Sequence, residues 1–130
     1  MNNFNIIPKF VEFLASRGIA YDIVDEVFIK FKYKDLNYMF QYYKDEDPSY
    51  FRIMLPKINN KEVDANVLQI TKELNLNYKA VKIVEFEPGS IWMIIENFVY
   101  SLENVDMMFA RIIDVLAFVI KIYREKEAEL

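Results

Sequence analysis

Between Val27 and Leu55 the chain repeats one pattern three times. Val27, Ile29, Phe31 and Tyr33 alternate with Phe28, Lys30 and Lys32. Tyr38, Phe40 and Tyr42 alternate with Met39, Gln41 and Tyr43, and Phe51, Ile53 and Leu55 alternate with Tyr50, Arg52 and Met54. A period of two sends successive side chains to opposite faces of a strand. The breaks are Lys34-Asp35-Leu36-Asn37 and the acidic Lys44 to Ser49. Both are too short for a crossover, so these strands must run antiparallel to their neighbours.

The flanking segments change period. Ile7, Phe10, Val11 and Leu14 fall on one helical face, with Pro8 suited to the first turn and Gly18 to the position after the last. This predicts a first helix over Pro8 to Arg17. Ala20 to Val24 reads as an optional short entry strand. Val63, Val67, Ile70 and Leu74 predict a second helix, capped by Asp64 or Asn60 and ending at Asn75-Leu76-Asn77. Val81 to Phe86 and Ile91 to Tyr100 read as paired strands. Between them Glu87-Pro88-Gly89-Ser90 suits a type II turn. Asn104 is the expected cap of a last helix with the core stripe Val105, Phe109, Ile112, Ile113, Leu116, Ile120 and Tyr123. Its charged end, Arg124 to Leu130, is expected to fray. The order is α-β-β-β-α-β-β-α. It predicts one α+β domain over residues 1–130, two-layered, with an antiparallel five-stranded sheet.

Composition narrows function. The chain has no cysteine and no histidine, so it lacks thiolate chemistry, disulfides, the usual base near neutral pH and the commonest metal ligand. A net charge of −4 argues against broad attraction to nucleic acid. Two glycines cannot build a phosphate-cradling loop. No apolar run approaches membrane-spanning length, and Met1-Asn2-Asn3-Phe4-Asn5 has no signal-peptide pattern. A soluble cytoplasmic protein without cofactor or membrane partner is the expectation.

Three stretches carry a resemblance: Asp45-Glu46-Asp47-Pro48-Ser49-Tyr50-Phe51-Arg52 closing on Leu55-Pro56; Val81-Lys82-Ile83 leading into Ile91-Trp92-Met93 and Glu96-Asn97-Phe98; and Phe109, Arg111 and Leu116. With this element order the chain resembles the bacterial YbjN-like family, whose fold is shared with class I type III secretion chaperones. The resemblance implies a two-layer α/β domain. It carries no catalytic residues over, since YbjN-like proteins are mostly uncharacterised. The secretion chaperones, small and acidic like this chain, bind unfolded effector segments as dimers.

Few residues invite chemistry. Asp45, Glu46 and Asp47 lack the ligand spacing of a calcium loop and read as a solvated turn. Glu85 and Glu96 could face each other on paired strands. Like charges there would repel, so a solvated face or contact with Lys82 or Arg52 is the better account. Apolar residues occupy both faces of the strands: one of Trp92 and Met93 must leave the main core, and Tyr38, Tyr43, Tyr50, Met39 and Met54 pose the same question. Either helices cover both faces or one face meets a partner. The last helix adds a second apolar face, Met108, Val115, Val119 and Ile122, while Phe118 sits cleanly on neither. Such a helix is deeply buried or self-associating. The expectation is a non-enzymatic, chaperone-like module that binds a protein or unfolded client segment, as a possible homodimer, through Trp92, Met108, Val115, Val119 and Ile122. A small-ligand or sensor domain with an aromatic pocket between sheet and helices is the alternative.

Overall fold

The computed structural model describes residues 5–130, so the signal-peptide expectation drawn from Met1-Asn2-Asn3-Phe4 lies largely outside it. The elements are α1 (Ile7–Ser16), β1 (Ala20–Asp25), β2 (Phe28–Tyr33), β3 (Leu36–Tyr42), β4 (Tyr50–Leu55), α2 (Ala65–Asn77), β5 (Lys82–Glu87), β6 (Ser90–Phe98) and α3 (Val105–Ala128). They form an α+β protein with a six-stranded sheet in the order β1-β2-β3-β4-β6-β5, every pair antiparallel. The expected five strands become six because Ala20–Asp25 is a full edge strand, pairing from Ala20↔Lys32 to Asp25↔Phe28 with an irregularity near Ile23.

Local signals explain most boundaries. Pro8 sits in the first turn of α1, and Gly18, at φ 66°, follows its end. The Asp64 carboxylate caps α2 by accepting the Val67 N–H at 2.9 Å. Gly89 takes φ 81° in the turn between β5 and β6, as the second central residue of a type II turn requires. Asn104 does hold the N-cap position of α3, but with left-handed backbone and no capping side-chain bond.

The core lies on the sheet face that carries Ile29, Phe31, Tyr38, Phe40, Tyr42, Phe51, Ile53, Leu55, Ile83, Met93 and Ile95. Ring packing fixes α1 and α3 there. Phe10 stacks on Phe40 at 4.1 Å, and Phe109 stands edge-on to Phe10 at 4.9 Å and to Phe51 at 5.9 Å. The expected core residues Phe51, Ile53, Leu55 and Phe109 are all buried. For α2, the Asn75 side chain bonds both backbone groups of Ile83, at 2.7 and 2.8 Å. Arg124 to Leu130 does not fray. The helix runs to Ala128, and Glu127 is buried with its carboxylate accepting the N–H groups of Asn60 and Lys61 and the Tyr123 hydroxyl. Among the described residues no helix is long and apolar enough to cross a membrane.

Candidate binding face of the sheet

Alternation along each strand builds a second sheet face from the residues that the core leaves out. Its register is read directly from strand pairing. One rung runs Asp22, Lys30, Met39, Met54, Ile94, Lys82, and the next runs Phe28, Gln41, Arg52, Glu96. Met54 and Ile94 are buried yet stand outside the main core cluster. Around them lie Trp92, stacked on Phe86 at 4.5 Å and 24°, and Tyr50, packed between Tyr43 at 5.0 Å and Phe98 at 5.4 Å. Phe86 is 44% exposed, Phe98 52% and the neighbouring Tyr100 80%. Among the described residues no hydrogen bond, ion pair or ring contact links this face to a helix.

Its polar groups are arranged unequally. Glu96 is engaged at both oxygens: Oε1 accepts from Lys82 Nζ at 2.5 Å, and Oε2 accepts from the Tyr50 hydroxyl. Trp92 Nε1 donates to Ser90 Oγ at 2.9 Å. The Arg52 guanidinium lies over the Tyr43 ring at 5.5 Å and near the Phe86 ring at 5.7 Å. Arg52 Nε is buried without a hydrogen-bond partner. Aromatic rings thus flank a charged group that forms no ion pair among the described residues, although Glu96 stands across from it in register.

The residues expected to bind a partner divide. Trp92 is on this face, while Met93 turns into the core. Val119, expected on an open face of the last helix, is fully buried. Both α1 and α2 pack against α3, which covers more of its circumference than one stripe. Met108, Val115 and Ile122 are half-buried at the margins of that packing. Phe118 is the larger exposed group, 58% exposed and edge-on to Tyr78 of the α2 end at 6.0 Å. Of the four residues of that helix face only Val119 goes wholly inside, while Met108, Val115 and Ile122 stay half-buried beside Phe118.

Glu85 and Glu96 do not meet. Glu85 pairs across from Ile91 and accepts the Gly89 N–H at 2.9 Å, whereas Glu96 points to the opposite face beside Lys82. Strand alternation separates them. In the acidic turn, Asp47 Oδ1 accepts from the Ser49 N–H at 3.1 Å and the Ser49 hydroxyl at 2.6 Å, a turn-closing role. Among the described residues no three acidic side chains gather in a way that could hold a metal ion.

Sequence reasoning named Trp92 but passed over Arg52 as a binding residue. The signal was present: Arg52 alternates with core residues Phe51 and Ile53, so it had to point away from them. No family model, curated protein or solved structure matches the chain.

Proposed function

We propose that this chain is a non-enzymatic, protein-binding module, chaperone-like in fold as its resemblance to YbjN-like proteins implies. In this reading it is two-layered: helices occupy one sheet face and a client segment takes the other. One observation carries the proposal. The second sheet face gathers Trp92, Phe86, Phe98, Tyr50 and Arg52 with no hydrogen bond, ion pair or ring contact to a helix among the described residues. Trp, Tyr and Arg are the residue types that dominate binding energy at protein interfaces, and exposed apolar patches mark such sites. Catalysis is disfavoured by the missing cysteine and histidine and by the separation of Glu85 from Glu96. Against an aromatic ligand pocket between sheet and helices speaks the packing there of Phe10, Phe40 and Phe51 with the edge-on ring of Phe109.

The test is a comparative pull-down from native lysate read by mass spectrometry. A client captured by the parent should be lost with Trp92→Glu plus Phe98→Glu, and retained with Phe118→Glu on the helix side. A client kept by the sheet-face variant and lost with Phe118→Glu would place binding on the helices and overturn the proposal.

A further inference from the structure

Three ion pairs are present among the described residues: Lys44–Glu26, Lys82–Glu96 and Lys126–Glu73. Of the basic residues on the second sheet face, only Lys82 takes part. Lys30 and Lys32 on β2 are exposed and make no ion pair or hydrogen bond among the described residues, although Asp22 stands across from Lys30 in register. Arg52, two strands away, makes neither and keeps a buried, unpartnered Nε. The carboxylate nearest to it in register, Glu96, has both oxygens engaged by Lys82 and Tyr50. An acidic chain of net charge −4 thus presents three unpaired cations on one face.

Between these cations the surface is mixed, with Gln41 across from Arg52, Asn37 across from Lys32, and methionines between. Met39 and Met54 separate Lys30 from Ile94 along one rung, and Arg52 is the next residue on that face of β4. Neighbouring strands are about 4.8 Å apart, so Lys30 and Arg52 lie on the order of 10 Å from each other across the sheet. A groove of about 510 Å³ runs beside Lys30 and Lys32, lined also by Tyr21, Asp22, Asn37, Met39 and Pro56. Methionine side chains adapt to varied apolar partners. A guanidinium held between rings is ordered in advance, and it takes a carboxylate bidentately.

Resting on the protein-binding reading above, we infer that the occupant is an acidic–apolar protein segment. Its apolar side chains lie on Met39 and Trp92, and its carboxylates reach Arg52 and the Lys30–Lys32 pair. A second copy of the same face is the poorer occupant, since two-fold pairing would set the same unpaired cations near each other.

Trp92 is the only tryptophan, so its fluorescence reports on this face directly. The probes are synthetic peptides of about 15 residues, lacking Trp, with one apolar pattern and Glu, Ser or Lys at every polar position. The Glu peptide should bind about tenfold tighter than the Ser peptide, the Lys peptide weakest, and high salt should shrink the difference. Lys30→Gln with Lys32→Gln, both at exposed sites, should lower affinity for the Glu peptide and leave the Ser peptide unchanged. Arg52→Gln should lower it further. If all three peptides bind Trp92 with equal affinity, the acidic preference is wrong and the binding face stands. If none perturbs Trp92 in the folded parent, the binding face falls with it.

Discussion

Glu127 offers the sharpest test of how the fold is closed. It is 2% exposed although it lies one residue from the end of α3. A carboxylate there opposes the helix dipole at a cost of about 0.3–1 kcal/mol. The compensation is local. The Asn60 N–H lies 3.0 and 3.1 Å from its two oxygens, the Lys61 N–H 3.2 Å away, and the Tyr123 hydroxyl donates at 2.9 Å. Hydrogen bonds to a charged group contribute about 1.5–3 kcal/mol each. Asn60 and Lys61 are exposed, so water can replace part of their share, whereas the Tyr123 hydroxyl would be orphaned in the core. Glu127→Ala should therefore cost about 2–4 kcal/mol, and Glu127→Gln about 1–2, because a carboxamide turns an NH₂ toward groups that donate. Urea melts followed by Trp92 fluorescence and far-ultraviolet circular dichroism measure this, with an unchanged denaturant slope. A cycle with Tyr123→Phe should give a coupling of about 0.5–3 kcal/mol. If Glu127→Ala stays within about 0.5 kcal/mol of the parent, the carboxylate does not tie α3 to the segment before α2 and the reasoning fails.

Phe109 meets Phe10, Phe13, Phe40 and Phe51 and is wholly buried, so Phe109→Ala should cost about 3–5 kcal/mol in the same melt. The Tyr38 hydroxyl is buried without a partner, so Tyr38→Phe should be neutral or stabilise by about 1 kcal/mol; a loss beyond that would reveal a bonded hydroxyl. Burial holds the Tyr38 and Tyr123 hydroxyls above their usual value of 10.0, aided in Tyr123 by its bond to Glu127. The unfolded chain thus releases these protons first. The contribution of these two hydroxyls to stability should be level below about pH 10 and fall above it by up to about 1.4 kcal/mol per pH unit for each, and Tyr38→Phe should flatten that limb. Lys34 and Asp35 form the β2–β3 turn with φ 50° and 64°, a left-handed pair that favours Asn-Gly. Lys34→Asn with Asp35→Gly should raise stability by about 0.5–1 kcal/mol in a thermal melt.

What was legible in the sequence followed burial. Phe31, Phe40, Phe51 and Ile53 alternate with the residues of the second face because the helices pack on their side of the strands and bury them. The sequence of β1 reads only as an entry strand because Tyr21, Ile23 and Val24 remain exposed, leaving no one-sided pattern to see. Val119 was placed on an open face because periodicity shows which residues are apolar, not how many neighbours a helix acquires. With α1 and α2 both packed on α3, Val119 goes inside while Met108, Val115 and Ile122 stay half-buried. Glu127 reads as part of a charged tail because its backbone donors are 66 and 67 residues away in sequence. For the candidate site, alternation identified Trp92, but the isolation of Arg52 depends on Glu96 being taken by Lys82 and Tyr50 across three strands.

The central claim, that the sheet face opposite the helices receives the partner, is tested most directly by methionine methyl NMR. Met39 and Met54 lie on that face, Met93 in the core, and Met107 and Met108 on α3. On titration with the Glu-bearing peptide, the Met39 and Met54 methyl signals should shift and broaden together while Met107 and Met108 keep their positions. Shifts confined to Met107 and Met108 would move the binding surface to the last helix and contradict the account.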